Sequence, residues 1–383
     1  ALAEKPELAE QADKFAHWFI FSILILSMIV YGAWSLVDPN HALLATIAVL
    51  VATCPCALSL ATPVALTAAT HRLAQQGFLV TRGHVINRLA QATHIIFDKT
   101  GTLTTGELQL VKQETFQGDA KQALLIAAAL EQYSEHPIAY AFKQLKLTNM
   151  PIIEQLNSEM GLGLTGIIDG KSYKLGHAQF ALGQHEPQQE DDFLRIYLSC
   201  DQQAIAYFDF KDTTRPESIT LIKRLKTLGL KTVLLSGDRS QAPYHLAKEL
   251  AIDEAYGALL PQDKANYVQQ QQEKGAVVIM VGDGVNDAPV LGQSHVSIAM
   301  ASGADLAQMT ADAVLLGDRL NALVTANQVA NKTSRIIKQN LAWALVYNLV
   351  VLPPAALGYV PPWLAAIGMS LSSLFVVFNA LRV

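Results

Sequence analysis

His94-Ile95-Ile96-Phe97-Asp98-Lys99-Thr100-Gly101-Thr102 is a short apolar run that ends on an acidic, glycine-bearing turn. Two later runs end the same way: Lys231 to Leu235 passes into Ser236-Gly237-Asp238, and Ala276 to Val281 into Gly282-Asp283-Gly284. Helical patterns lie between them at Glu217 to Leu228, Gln241 to Leu250 and Pro261 to Lys274. Continuous Val, Ile and Leu strands alternating with helices predict a doubly wound α/β domain with a parallel sheet. Ligands of such a sheet bind beyond the carboxyl ends of its strands. Asp98, Asp238 and Asp283 are therefore expected on one edge.

Between residues 116 and 208 the rhythm changes. A helical run, Ala120 to Gln132, gives way to hairpin signals: an Asp169-Gly170 turn, and Tyr197 to Phe208 pivoting on Asp201-Gln202-Gln203. Helix followed by antiparallel strands predicts a separate α+β lobe inserted into the doubly wound domain.

Hydrophobic residues make up 51% of the 383, and charged ones only 16%, against about 25% in soluble domains. Four apolar stretches account for the excess: Phe15 to Val37, His41 to Thr62, Leu341 to Val360 and Trp363 to Leu381. Each has roughly the 20 residues a helix needs to cross a bilayer. The expected plan is a membrane hairpin (1–74), an α/β domain (75–115 and 209–335) holding the inserted lobe (116–208), and a second hairpin (336–383). The connections Asp38-Pro39-Asn40 and Gly358 to Pro362 carry no Lys or Arg. Lys5, Lys14, Arg72, Lys332, Arg335, Lys338 and Arg382 lie at the opposite ends of the spans, which the positive-inside rule assigns to the cytosol. A net charge of -5 gives no reason to expect a nucleic-acid partner.

Cys54-Pro55-Cys56 lies within the second stretch. In an unbroken helix residues i and i+2 point about 200° apart, so the two sulfurs could not share a ligand. Pro55 lacks an N–H and clashes with the preceding turn, so the helix opens there and both sulfurs can turn toward one soft ion. The alternative is a pair of small core cysteines beside a kink. In the last hairpin, Tyr347-Asn348 and Met369-Ser370-Leu371-Ser372-Ser373 place polar groups at membrane depth, where they normally face the bundle interior.

The pentapeptide Asp98 to Thr102 resembles the phosphorylation motif of the P-type ATPases. Asp212-Thr213-Thr214-Arg215-Pro216, Ser236-Gly237-Asp238 and Gly282-Asp283-Gly284-Val285-Asn286-Asp287 follow in the order and strand-end placement of that family. The resemblance covers essentially the whole chain. It implies a haloacid-dehalogenase-like domain in which Asp98 takes the γ-phosphate of ATP. An aspartate is already ionised at neutral pH and attacks without a general base. Mg²⁺ is implied at Asp98, Asp283 and the carbonyl of Thr100, with Asp287 nearby. Lys264, Thr100, Asp212, Ser236, Gly237 and Asp238 are implied around the phosphoryl group. The family usually has Thr where this chain has Ser236.

Within the family the chain resembles the heavy-metal, Cys-Pro-Cys branch. There the inserted lobe binds the adenine and ribose of ATP, which carries over to Glu131, His136 (of His136-Pro137), Gly161 and Gly163. Cys54, Cys56, Tyr347, Asn348, Met369 and Ser373 are implied as Cu(I) ligands. No Asp, Glu, Lys or Arg lies between Leu341 and Leu381, which resembles copper rather than zinc or cadmium members. The resemblance also implies an integral membrane protein of a bacterial inner membrane, with Cu(I) handed over by a cytosolic copper chaperone. Arg82-Gly83-His84 resembles the subgroup that supplies copper for cytochrome oxidase assembly rather than bulk detoxification. Such pumps have an actuator domain with Thr-Gly-Glu and further helices ahead of these spans. The only Thr-Gly-Glu here, Thr105-Gly106-Glu107, follows Asp98. The expectation is a partial pump sequence that binds Cu(I) and ATP without completing transport. Competing readings are a pump for silver, zinc or cadmium, and a membrane-anchored phosphohydrolase of the haloacid-dehalogenase type. The latter usually has a second Asp two residues after its nucleophile, where this chain has Thr100.

Overall fold

The computed structural model describes residues 7–54, 56–134, 137–159, 162–183, 193–238, 240–283, 288–301, 309–317 and 319–383. The chain opens with helices α1 (Glu7–Val37), α2 (Pro39–Ala52) and α3 (Cys56–Gln75), then β1 (Phe78–Val80), α4 (Val85–Gln91) and β2 (His94–Asp98). The lobe follows as β3 (Thr104–Thr115), α5 (Ala120–Leu130), α6 (Pro137–Gln144), β4 (Glu154–Glu159), β5 (Gly163–Ile168), β6 (Lys171–Gly176), α7 (Ala178–Leu182), β7 (Leu194–Cys200) and β8 (Gln203–Thr214). The chain then returns through α8 (Ser218–Thr227), β9 (Lys231–Leu235), α9 (Ala242–Leu250), β10 (Glu254–Tyr256), α10 (Pro261–Glu273), β11 (Val278–Gly282), α11 (Ala288–Gln293), β12 (Val296–Met300) and β13 (Ala313–Leu315). Helices α12 (Ala322–Ala356) and α13 (Pro362–Ala380) close the chain.

Seven strands form one sheet in the order β1-β13-β12-β11-β2-β9-β10. All pair in parallel except β1, which runs antiparallel to β13 at the edge. β2 is central, with Val281 opposite Phe97 and Leu235 opposite Asp98. The three acidic turns therefore emerge side by side, as their strand-end positions predict. His295 has a structural role: its Nδ1 accepts from the Val278 N–H at 3.2 Å, beside the β11–β12 pairing.

The inserted lobe is a six-stranded antiparallel sheet, β3-β8-β7-β6-β5-β4, packed on α5 and α6. Its hairpins turn at Asp169-Gly170 and Asp201-Gln202, each with two consecutive residues at positive φ, as two-residue turns require. The expected boundaries at 115/116 and 208/209 sit differently from the hydrogen bonding. β3 and β8 pair from Thr104↔Thr214 to Thr115↔Ala206, so 104–115 and 209–214 belong to the lobe's sheet.

Among the described residues three helical segments are long and apolar enough to span a membrane: Trp18–Val37, Ala322–Ala356 and Pro362–Ala380. The single span expected over His41 to Thr62 is replaced by a 14-residue α2 and, beyond residues 53–55, a separate α3. Proline accounts for the interruption: it removes a helical donor and crowds the turn before it. Pro55 itself lies outside the described residues. The third span is the far half of α12, a 35-residue helix with no Pro or Gly before Pro353 to stop it. The boundary expected at 335/336 falls inside that helix. Ala65, Ala69 and Leu73 of α3, and Leu323 to Ile337 of α12, are buried in the same core as Ile95, Phe97 and Leu234. The helices are thus rooted in the α/β domain.

Candidate active site and ion-binding groups

Asp98 ends the central strand and is 8% exposed. Its Oδ1 accepts a hydrogen bond from Lys264 Nζ at 2.7 Å, and Lys264 is itself 5% exposed. Lys264 stands in the first turn of α10, which Asp263 caps by accepting from the Leu260 N–H at 3.0 Å. A buried ammonium paired with a buried carboxylate holds a fixed positive charge where phosphate oxygens would arrive.

The turn after Asp98 needs a glycine. Gly101 has φ +70°, and a Cβ there would stand 3.2 Å from Asp283 Oδ2. Arg215 pins the turn, donating from Nε to the Thr104 carbonyl (3.1 Å) and from Nη2 to the Gly101 carbonyl (3.2 Å). Ser218 Oγ donates to the Leu103 carbonyl at 2.9 Å. Asp212 binds Thr104 Oγ1 at 2.6 Å and the Gly106 N–H at 3.1 Å. Burial pushes its carboxyl up, against those donors and the Lys99 charge. Asp212 therefore shapes the turn from β8. Sequence reasoning missed Arg215 as a site residue, although it lies in the same five-residue motif.

Asp238 pairs with Lys99 Nζ. Burial would raise its carboxyl, but the Lys99 ammonium and Ser240 hold it below the usual carboxylate range. Ser236 is 3% exposed, and its Oγ accepts from the Asp238 N–H at 3.2 Å. Thr100 is exposed toward a cleft of about 350 Å³ that Lys99, Asp212, Asp238 and Ser240 also line. The donors suit Mg²⁺. Asp98 and Asp283 follow adjacent parallel strands, and a magnesium site usually takes one or two carboxylates plus water and phosphate oxygens. Among the described residues no group of three or more His, Cys, Asp and Glu gathers at one point. Asp287 lies outside the described residues.

A second cleft, of about 440 Å³, opens in the lobe and is lined by Glu131, Ser158, Gly163, Gly176, His177 and Leu194. Leu194 lines both clefts. Glu131 is 6% exposed, and its Oε2 has no hydrogen-bond partner among the described residues. Gly163 is a glycine for a different reason than expected: a Cβ there would stand 2.3 Å from the Leu175 carbonyl and 2.7 Å from the Phe180 ring. Packing, and not access to a ligand, excludes a side chain. Its cross-strand partner Gly176 is equally confined, 2.3 Å from the Leu162 carbonyl. Gly176 and the exposed His177 were missed; their signal was a glycine at a strand end, where backbones approach closely. His136 and Gly161 lie outside the described residues.

Burial pushes the Glu131 carboxyl up, outweighing Ser134 and Lys143, which pull it down. A folded value above the unfolded one means that stability falls as pH rises from the ordinary carboxylate range through the raised value. Glu131→Gln is therefore expected to stabilise the lobe near neutral pH by about 1 kcal/mol. It should also flatten that decline, as read from thermal unfolding between about pH 5 and pH 8.

In the membrane region, Cys54 and Cys56 flank the α2–α3 interruption with Cα atoms 5.5 Å apart, and their sulfurs are joined as a disulfide. The expectation was two thiolates. The oxidised pair shows that the opened backbone brings both sulfurs to one point, as sharing an ion requires. Tyr347 Oη and Asn348 Oδ1 are buried without partners among the described residues. The Tyr347 hydroxyl lies 2.8 Å from where a Cβ on Gly368 would stand, next to the half-buried Met369. Ser373 is half-buried one turn further along α13.

A family profile for haloacid dehalogenase-like hydrolases matches residues 92–295. The chain is 39% identical over 373 residues to the nitrogen fixation protein FixI of Rhizobium meliloti (strain 1021), covering 97% of this chain and 49% of that protein. It is 36% identical over 400 residues to a copper-exporting P-type ATPase of Staphylococcus haemolyticus, covering 100% and 50%. A zinc-transporting PIB-type ATPase crystallised in its E2.Pi state superposes with TM-score 0.82 at 30% identity, over 98% of this chain and 66% of that one. The catalytic CPx-ATPase domain CopB-B matches with TM-score 0.57 at 30% identity, over 68% of this chain and 98% of the domain. The chain spans about half the length of the curated relatives it matches.

Proposed function

The chain belongs to the heavy-metal P-type ATPases, and from that membership we propose that it forms the ATP-using and ion-binding part of a Cu(I) pump that is phosphorylated at Asp98. The observation that carries this reading is the buried Asp98–Lys264 pair at the end of the central strand, between two acidic turns. An Asp98 oxygen attacks the γ-phosphorus of ATP. The bond from that phosphorus to the β,γ-bridging oxygen breaks, and ADP leaves with the electron pair. Lys264 offsets charge on the transferred group, and the Thr100 and Ser236 hydroxyls donate to its oxygens. Asp98, Asp283 and the Thr100 carbonyl, with Asp287 added from the family resemblance, would hold Mg²⁺, which would supply charge neutralisation between carboxylate and triphosphate. Asp212 and Arg215 hold the turn, while Asp238, Gly237 and Lys99 form its other wall.

Adenine and ribose occupy the lobe cleft against Glu131, Gly163, Gly176 and His177, with His136 and Gly161 assigned to the same ligand from the family resemblance alone, and the triphosphate passes Leu194 toward Asp98. Glu131→Gln should then weaken ATP binding while leaving phosphorylation by small acyl phosphates intact. Two thiolates, Met369 and uncharged oxygens suit a soft monovalent ion better than Zn²⁺. The relative named as copper-exporting supports the same choice. The pump sits in a bacterial inner membrane, receives its ion from a cytosolic chaperone, and serves oxidase assembly rather than detoxification.

The test is metal-dependent phosphorylation in a transport-competent protein that carries this sequence. Cu(I) should raise ATP-driven phosphoenzyme formation by about tenfold or more, and Zn(II) should not. Stimulation by Zn(II) alone would transfer the site to the zinc branch, to which one structural neighbour belongs. A phosphoenzyme indifferent to every metal would favour a membrane-anchored phosphohydrolase.

A further inference from the structure

Five threonines of the helical bundle return their hydroxyls to the backbone one turn back. Thr46 donates to the Ala42 carbonyl (2.7 Å), Thr53 to Val49 (2.6 Å), Thr67 to Pro63 (2.9 Å), Thr70 to Leu66 (2.9 Å) and Thr333 to Val329 (2.7 Å). This is the ordinary resting place of a hydroxyl where water is scarce. Thr62 departs from it. The residue is 2% exposed, and its Oγ1 is buried with no hydrogen-bond partner among the described residues.

The residue after Thr62 interrupts the helical hydrogen-bond ladder. Pro63 lies inside α3 and has no N–H, so the Ser59 carbonyl loses the donor that a helix would give it. A hydroxyl and a carbonyl thus lack helical partners within one turn. Thr62 lies about 9 Å along the helix from Cys56, toward the end that enters the α/β domain. Ala61, the neighbour of Thr62, is buried against Ala344 of α12 and Val376 of α13. This stretch of α3 therefore packs on the two helices that carry Tyr347, Asn348 and Met369.

An unpaired buried hydroxyl costs about 1–3 kcal/mol, and native structures keep such groups where they are used. We propose that Thr62 is an ion-path residue, whose hydroxyl solvates the metal ion as it moves between the α/β-domain end of α3 and the Cys54–Cys56 pair. The proposal rests on the pump reading above. An ion crossing a buried stretch needs oxygen donors to offset its desolvation. Oxygen binds a soft ion weakly, so the hydroxyl speeds passage without storing the ion.

Thr62→Val tests this, because valine keeps the shape and removes only the hydroxyl. In a transport-competent protein carrying this sequence, Cu(I)-stimulated phosphoenzyme formation should slow about five- to tenfold, with equilibrium Cu(I) affinity changed by less than about twofold. The melting temperature should hold or rise, since no hydrogen bond is lost and an unpaired polar group is gone. Thr62→Ser should restore the rate. A valine variant that keeps the wild-type rate overturns the proposal. So does one that loses rate, affinity and melting temperature together, because the hydroxyl is then structural. A wild-type protein without Cu(I) stimulation removes the pump reading itself, and the role of Thr62 with it.

Discussion

Asp98→Asn abolishes acid-stable, hydroxylamine-labile labelling by γ-labelled ATP. Asparagine fills the same space but offers no anionic oxygen to attack phosphorus, so the loss is complete rather than partial. The substitution also removes the carboxylate charge that the Lys264 ammonium, 5% exposed, bonds at 2.7 Å. Weakening a buried ion pair from one side is destabilising, so the α/β domain should also melt earlier. Asp98→Asn with Lys264→Met removes both charges and should recover most of that stability while staying unlabelled. Labelling that persists in Asp98→Asn would place the phosphorylated residue elsewhere, whatever the melting temperature does.

Replacing Cys54 and Cys56 together by Ala removes Cu(I) binding and leaves ATP affinity unchanged. The two sulfurs meet only because the helix is interrupted between Ala52 and Cys56, which places their Cα atoms 5.5 Å apart. Two alanines keep that backbone and delete both soft donors. Affinity should fall by at least about a thousandfold, or about 4 kcal/mol. The lobe that carries the nucleotide groups has a core separate from those of the membrane helices, so it does not sense the change. The sulfurs can also bond to each other, so treatment with an oxidant should block Cu(I) binding and a thiol reductant should restore it. Cu(I) held at undiminished affinity by the double variant would falsify the thiolate site.

The residues at strand ends were the most legible part of the sequence. Val, Ile and Leu runs that stop on Asp98, Ser236 and Gly282 fix both the parallel sheet and the edge where the carboxylates meet, because local composition alone specifies a buried strand. Lys264 was legible only through resemblance, since nothing in Pro261-Gln262-Asp263-Lys264 tells a solvated lysine from one folded onto Asp98. The interruption at Cys54-Pro55-Cys56 was readable because proline chemistry is local. The length of α12 was not. Its first half is amphipathic and its second half apolar, so composition suggested a boundary at 335/336 where the backbone has none. That packing requires a glycine at 163 was not legible, because a sequence cannot show the Phe180 ring and the Leu175 carbonyl that confine it. The lobe's edges moved for a similar reason. Which sheet a long strand joins depends on its partner, and β8 lies about 90 residues from β3.

The continuity of α12 has a mechanical meaning. At 35 residues it is a stiff rod of about 52 Å, gripped along one half by the α/β core and carrying Asn348 on the other. A rod pivoting near its middle through about 10° carries each tip about 4–5 Å in opposite directions. Asn348, nine residues from the middle, moves about 2.4 Å in that swing, roughly the length of a metal–ligand bond, enough to loosen its hold on any ion at Cys54 and Cys56. Grip on the metal then becomes a question of angle. A change of contacts at Asp98 that reorients the α/β domain can loosen the ion far away without any bond being remade along the shaft.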